Sequence, residues 1–271
     1  MIATTEDKKV LYLFCLANAG GFGDVRGAGL DEAEPLFART RGAVTAILSE
    51  VRVRDFCGPA GERNLEDPAW VSERAVRHER AVEQAFRHGP VLPARFGTLF
   101  SSSAVLERFL ETNQRAIVGF LESVRGHEEW GIKALVERDT ARRWLSAQMA
   151  KVAADDHPLS PGLRYVREKR AQAAAEKELH RWVADCCDIA ALEMREYATD
   201  SRQRKILDDR IAGDSRETLL NLAALVRRDR AQDLMARAQE VNAARAAQGL
   251  SFVLTGPWPP YSFCPPLEMG Q

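Results

Sequence analysis

Residues 90–100 read PVLPARFGTLF, and their placement decides how the first half of the chain folds. An apolar run of this length belongs in a buried strand or helix, yet Pro90, Pro93, Arg95 and Gly97 interrupt it. Pro90 and Pro93 restrict the backbone and limit where a strand can donate hydrogen bonds. Gly97 permits a tight bend, and Ser101–Ser103 then offer caps for a following helix. Arg95 lies between apolar neighbours, where an arginine buried alone is costly. Its five N–H donors could nevertheless tie several loop carbonyls or a carboxylate. Two readings follow: an arginine pinning a buried connector, or one exposed to grip a partner. The prolines and glycine already mark a shape-critical loop, which favours the first.

Upstream, Asp67-Pro68 supplies a cap and a first-turn proline for a helix over Pro68–Arg87. Val71, Ala75, His78, Val82 and Phe86 share its apolar stripe, and His88-Gly89-Pro90 ends it. His78 beside Glu79 could suggest an acid–base pair. A histidine on an inner stripe is more often a hydrogen-bonded core residue, and that reading is preferred. Further upstream, Val10–Leu16 reads as a strand and 18–34 as a glycine-rich loop. Leu36–Thr40 and Ala43–Val53 are two more strand candidates, joined by a hairpin turn at Arg41-Gly42. Downstream, Val105, Leu106, Phe109, Leu110, Ile117, Phe120, Leu121 and Val124 recur with helical period until Gly126.

The second half opens with a strand over Trp130–Glu137. Asp139 caps a helix with Trp144, Leu145, Met149 and Val152 inward. After the break DDHPLSPG, Ser160-Pro161 starts a much longer helix. Leu179, Trp182, Val183, Cys186, Ile189, Ala190 and Met194 form its apolar face, and its first half is dense in charge. Ile206-Leu207 is a weak strand candidate. Thr218–Val226 fits strand or helix by composition. Asp229–Gln248 is helical up to Gly249, and Leu250–Thr255 closes as a strand before a proline- and aromatic-rich tail. The expected fold is therefore α+β in two domains, residues 1–128 and 129–271. The second has the βαββαβ order of a ferredoxin-like unit with one long helix.

At 271 residues the chain can bury a sizeable core, and 45% hydrophobic with 28% charged residues is the balance of a soluble globular protein. A net charge of −1 leaves no footprint for nucleic acid or for a lipid surface. The N-terminal apolar run is short and follows acids and lysines. It fits neither a secretion signal nor a membrane span, so a cytoplasmic chain is expected. Cys15, Cys57, Cys186, Cys187 and Cys264 are an odd number without C-x-x-C spacing. Cys15 and Cys186 read as small buried hydrophobes, and adjacent Cys186 and Cys187 point to different sides of a helix.

No catalytic constellation emerges. Gly20-Gly21-Phe22-Gly23 misses the dinucleotide spacing, because the third glycine position is Arg26. There is no phosphate-loop motif, no G-x-S-x-G, and no close histidine pair for a metal. No cofactor is expected and no enzymatic activity. Trp258 and Tyr261 flank Pro259-Pro260, making a rigid strip suited to docking, first of all on the protein itself.

Several stretches together resemble one family, the gas vesicle proteins GvpF/GvpL: VLPARFGTLF at 91–100, EWGIKALV at 129–136, LSPGLRYVREKR at 159–170 and LTGPWPPYSF at 254–263. The helix WVSERAVRHERAV at 70–82 fits as well. Ala94 and Leu99 stand where the family often has Leu and Val, and residues after Phe263 extend past the shared pattern. The resemblance implies a two-domain α+β accessory protein of gas vesicles, the cytoplasmic gas-filled protein shells. It implies contact with the hydrophobic major shell protein and with other accessory proteins, and a strand at Thr218–Val226. Pro93, Arg95, Phe96, Gly97, Trp258, Pro259 and Tyr261 become candidate partner-binding or motif residues because they lie in its motifs, as do Arg167, Lys169 and Arg170 in the charged helix. The competing expectation is a ferredoxin-like protein or enzyme that holds an anion or small ligand through Arg95 and the basic Arg164–Lys177 region.

Overall fold

The computed structural model describes residues 8–20, 27–152, 160–206 and 216–268, without the side chains of Val152, Ala175, Glu176 and Ala190. Gly21–Arg26, Leu159, Leu207 and the inward positions expected for Val152 and Ala190 therefore lie outside the described residues. The fold is α+β with two antiparallel sheets. Contacts divide it into two units, Met1–His127 with Trp258–Gln271, and Glu128–Pro257.

In the first unit, β1 (Lys9–Asn18), β2 (Phe37–Arg41), β3 (Val44–Arg52), β4 (Val91–Pro93) and β5 (Leu99–Phe100) form one sheet. Its order is β2-β3-β1-β4, with β5 also paired to β1. Helix α1 (Gly58–Glu66) precedes α2 (Pro68–His88), and α3 (Ser103–Ser123) follows β5. The register of β1 against β3 slips between Leu13 and Cys15, leaving Phe14 as a bulge residue. Phe14 continues the alternation of Val10 and Tyr12, and the slip brings Cys15 into the same core, where α2 contributes Ala81, Val82, Ala85 and Phe86. By alternation, Leu11 and Leu13 face the other side, where α3 packs across the strands.

Two caps of this unit are those the sequence requires, whereas Asp139, expected to cap a helix in the second unit, lies inside the first turn of the helix Arg138–Val152. The Asp67 side chain accepts from Ala69 N at 2.9 Å to start α2, and Ser102 accepts from Val105 N to start α3. Helix α1 is not foreshadowed, because GPAGERNLE carries two glycines and no apolar stripe.

The second unit holds β6 (His127–Val136), α4 (Arg138–Val152), α5 (Pro161–Arg195), β7 (Ala198–Gln203), β8 (Glu217–Arg227), α6 (Ala231–Arg245) and β9 (Leu250–Trp258). Its sheet runs β7-β8-β6-β9. One core collects Trp130, Ile132 and Ala134 of β6, alternate residues of β8 from Leu220 to Val226, and the inner sides of α5 and α6. A second cluster joins α4 to α5 through Ala141, Leu145, Leu179, Val183 and Cys186. Cys186 and Cys187 enter these two different clusters, as their adjacency on a helix demands.

Three expectations change here. The strand placed at Ile206-Leu207 is found at Ala198–Gln203. ATDSRQ is polar because it is a sheet edge that buries little, so it carries no apolar alternation to read. Ile189, expected on the inner face of α5, is exposed along with Leu192. The tail from Trp258 packs with the first unit, whereas the sequence order groups it with the second; Tyr261 joins the first unit's aromatic core and Phe263 is buried.

Candidate functional site

The PVLPARFGTLF segment lies against β1. Pro93 pairs with Cys15, Ala94 N donates to Phe14 O at 2.9 Å, and Leu13 N donates to Thr98 O at 3.0 Å. Between these anchors the chain turns at Gly97, whose φ of +84° is the left-handed region that glycine enters freely. Arg95 is not the buried strut favoured from the sequence. Its side chain is exposed, and its carbonyl accepts from both Thr98 N and Thr98 Oγ1.

The pinning is done by two side chains from elsewhere. His78 Nε2 lies 3.2 Å from Ala94 O. A carbonyl only accepts, so Nε2 carries the proton and Nδ1 is free to accept from Tyr12 Oη at 2.8 Å. Tyr12 Oη in turn accepts from Gly97 N at 3.3 Å. Phe14 stacks on the His78 ring, and Phe96 stands edge-on to both Tyr12 and His78. Each polar group in this chain is used, which makes it a clamp on the loop. His78 is thus the hydrogen-bonded core histidine expected.

Burial lowers the His78 pKa from 6.5 to about 4 and pushes the Tyr12 phenol up. The sign follows from proton counting. Between about pH 6.5 and 4 the unfolded chain binds a proton on His78 that the folded chain refuses, so stability falls as pH drops through that window. The full loss is about 3 kcal/mol. A denaturant-midpoint series from pH 7 to 4.5 checks this, with a His78→Gln chain losing that part of the slope.

A second pair of motifs meets in the second unit. Gly131 lies so close to β9 that a Cβ there would sit 2.5 Å from Thr255 Oγ1. A Cβ on Gly256 would sit 2.9 Å from Glu129 O and 3.1 Å from the Trp130 ring, at a φ of +145°. Glu129 is buried and ion-paired with Arg204. Glu128 accepts from Trp130 Nε1 at 2.9 Å. The EWG and TGP triplets are therefore two halves of one packing contact.

The third element is the start of α5. Ser160 caps it by accepting from Leu163 N. Leu163, Tyr165 and Val166 are exposed at 59%, 61% and 46%. Arg167 donates to Ala150 O at 3.1 Å and so ties α5 to the last turn of α4, while Lys169 lies over the Tyr165 ring. Lys169 and Arg170 are exposed. Arg167→Ala is expected to lower stability by about 1 kcal/mol, against a few tenths for Arg170→Ala, in thermal melts.

The tail brings the remaining candidates to the first unit: Pro259 is buried, Tyr261 is half-buried and Trp258 is exposed. The structure thus gathers Pro93, Phe96, Gly97 and Tyr261 around one core, and leaves Arg95 and Trp258 at its surface. Tyr12 was missed as a site residue because an aromatic in a strand looks like ordinary core. Its partner His78 lies 66 residues away, and that pairing has no local sequence signature.

A cleft of about 280 Å³ in the second unit has Leu179, Val183 and Leu219 among its walls and Arg138, His180 and Glu217 at its polar side. Arg138 is ion-paired with Glu217. Among the described residues no group of three His, Cys, Asp or Glu is placed to hold a metal ion, and no helix is long and apolar enough to cross a membrane.

An α+β chain of two antiparallel sheets, with its sequence motifs spent on packing and its charged helix end exposed, has the architecture of gas vesicle proteins already known in structure. It is similar to the crystal structure of GvpF from Anabaena sp. PCC7120, with a TM-score of 0.68 and 16% identity over 97% of this chain and 99% of that one. GvpF from Microcystis aeruginosa gives a TM-score of 0.65 and 14% identity over 94% of this chain and 99% of that one. The family model for gas vesicle synthesis protein GvpL/GvpF matches residues 10–265, and the chain belongs to that family. Relatives include gas vesicle protein L of a Streptomyces species, 28% identical over 85% of this chain and 83% of its own length. Gas vesicle protein L1 of Halobacterium salinarum is 26% identical over 94% of this chain and 90% of its length.

Proposed function

We propose that this chain is a non-catalytic structural or assembly protein of gas vesicles that binds the hydrophobic major shell protein, together with other vesicle accessory proteins, during vesicle formation. On this reading it is cytoplasmic before assembly and joins or visits the vesicle afterwards. Its second unit is a ferredoxin-like module, a reading supported by the sheet order β9-β6-β8-β7 around β6 and β8 with α5 and α6 on one side.

The observation that carries the partner proposal is that Leu163, Tyr165 and Val166, on the first turns of α5, are all exposed to water, with Leu163 and Val166 one turn apart on one face and Lys169 and Arg170 exposed one turn further on. Apolar side chains clustered in the open suit an apolar partner, and the flanking cations keep the surface soluble. Arg95 and Trp258 extend the set of exposed motif residues. Arg167 belongs to the fold and is left intact in the test.

Co-purification of the shell subunit with the full chain tests the proposal. Lys169→Glu with Arg170→Glu, and separately Leu163→Ser with Val166→Ser, are each expected to weaken capture about tenfold while the melting curve stays unchanged. Unchanged capture by both folded variants removes the α5 surface from the account. The exposed Arg95 keeps an anion-binding reading open to the same preparation: titration with inorganic phosphate should give no saturable heat, and saturable binding lost in Arg95→Ala would favour that second reading.

A further inference from the structure

Residues 258–268 do more than fill space on the first unit. Pro259 and Pro260 are buried. The Tyr261 ring packs against the aromatic core, with Glu79 of α2 beside its hydroxyl. Phe263 is 5% exposed. Cys264 Sγ lies 3.7 Å from Pro93 O on β4, the outer strand of the sheet. Four residues on, the buried Asn113 side chain of α3 reads the backbone of Glu268 from both sides. Nδ2 donates to Glu268 O at 2.9 Å, and Oδ1 accepts from Glu268 N at 2.8 Å. The tail therefore runs as a strap from α2, past the edge strand β4, to α3.

Two features show what kind of contact this is. The Asn113 amide binds main-chain groups, as a neighbouring strand would, and so recognises an extended peptide whatever its side chain at that position. Tyr261 Oη is buried beside the Glu79 carboxylate of α2; burial first, and that charge second, push the phenol up. Beyond β9 the described segment joins no sheet, its one regular element being the turn Tyr261–Phe263, so the strap is held by side chains of α2 and α3 and not by a strand ladder.

We propose that this groove is an exchangeable peptide site, and that its partner is the same proline- and aromatic-rich segment of a second copy of the chain. The occupant on view is the argument: the one segment shown to fit the groove is the tail, and every further copy carries it. Exchange breaks and remakes identical contacts, so it costs little beyond release of the strap and links copies once local concentration is high.

Complementation in full-length chains tests this. One variant, Tyr261→Ala with Phe263→Ala, has a groove but a tail that does not dock. The other, Asn113→Ala with Pro93→Gly, has a tail but a damaged groove. Each alone is expected to be monomeric by light scattering, and an equimolar mixture is expected to show twice the monomer mass. A mixture that stays monomeric while both variants keep their folded circular dichroism overturns the proposal. If a variant fails to fold, the unaltered chain decides. Two differently tagged wild-type copies, mixed at high concentration, should co-purify. A large excess of the synthetic peptide of residues 258–268 should abolish that capture. No co-purification, or capture indifferent to the peptide, contradicts exchange.

Discussion

His78→Ala lowers the stability of the first unit by about 3–5 kcal/mol, although the residue touches no ligand and no solvent. The substitution leaves the Ala94 carbonyl without its His78 donor and the Tyr12 O–H without its acceptor, although Tyr12 Oη still accepts from Gly97 N; each lost partner costs about 1–3 kcal/mol in a buried site. It also removes the ring that Phe14 stacks on, at 5.5 Å between centroids, and leaves a void among aromatics. Tyr12→Phe keeps the ring and deletes one oxygen, which strands Gly97 N and His78 Nδ1, and should cost about 1–3 kcal/mol. Arg95→Ala is the informative contrast. A residue that pinned the loop would show a loss like that of His78, whereas an exposed arginine changes stability by less than about 0.5 kcal/mol. Denaturant midpoints of the three variants at pH 7, where His78 is neutral, measure all of this in one series.

Gly256→Ala has the second large effect, about 3 kcal/mol or more, in the other unit. Two penalties coincide there. The backbone at φ +145° is open to glycine and strained for any L side chain, which costs about 1–3 kcal/mol. The added methyl also meets the Glu129 carbonyl at 2.9 Å, and a backbone atom in a strand does not step aside. Gly97→Ala separates the two penalties. Its φ is +84°, but nothing lies within 4 Å of the new Cβ, so about 1–2 kcal/mol is expected. Gly131→Ala meets the Thr255 hydroxyl, the end of a short side chain, and falls between them. Thermal unfolding of the three chains ranks them, and a Gly256→Ala protein as stable as Gly97→Ala would show that space, not strain, is the lesser constraint.

Much of this architecture was legible in the residues. Asp67-Pro68 and Ser101–Ser103 mark real helix starts because a cap is a local interaction between a side chain and the next turn. The inner stripe of α2 placed His78 correctly in the core. What stayed hidden depends on long-range or unpatterned structure. β7 is an edge strand with polar residues on both faces, so its sequence has no alternation. β8, ETLLNLAALVR, is compatible by composition with a helix. It is a strand because Leu220, Leu222, Ala224 and Val226 must share one buried side. Arg95 misled because its apolar neighbours suggested burial. Arg95 instead lies in the turn between the Ala94–Phe14 and Leu13–Thr98 hydrogen bonds, with its side chain exposed. The split of the tail from its preceding strand could not be read either, since Trp258-Pro259-Pro260-Tyr261 looks equally suited to either unit.

The proposal that this member of the GvpL/GvpF family contacts other gas vesicle proteins rests on that membership and on the exposed start of α5. The most direct test is deletion of this coding sequence from its native host, followed by flotation and counting of intact vesicles, with the gene restored in parallel. The account predicts loss of buoyant vesicles, or vesicles few and misshapen, and recovery on restoration. Vesicles unchanged in number and shape in the deletion strain would contradict it.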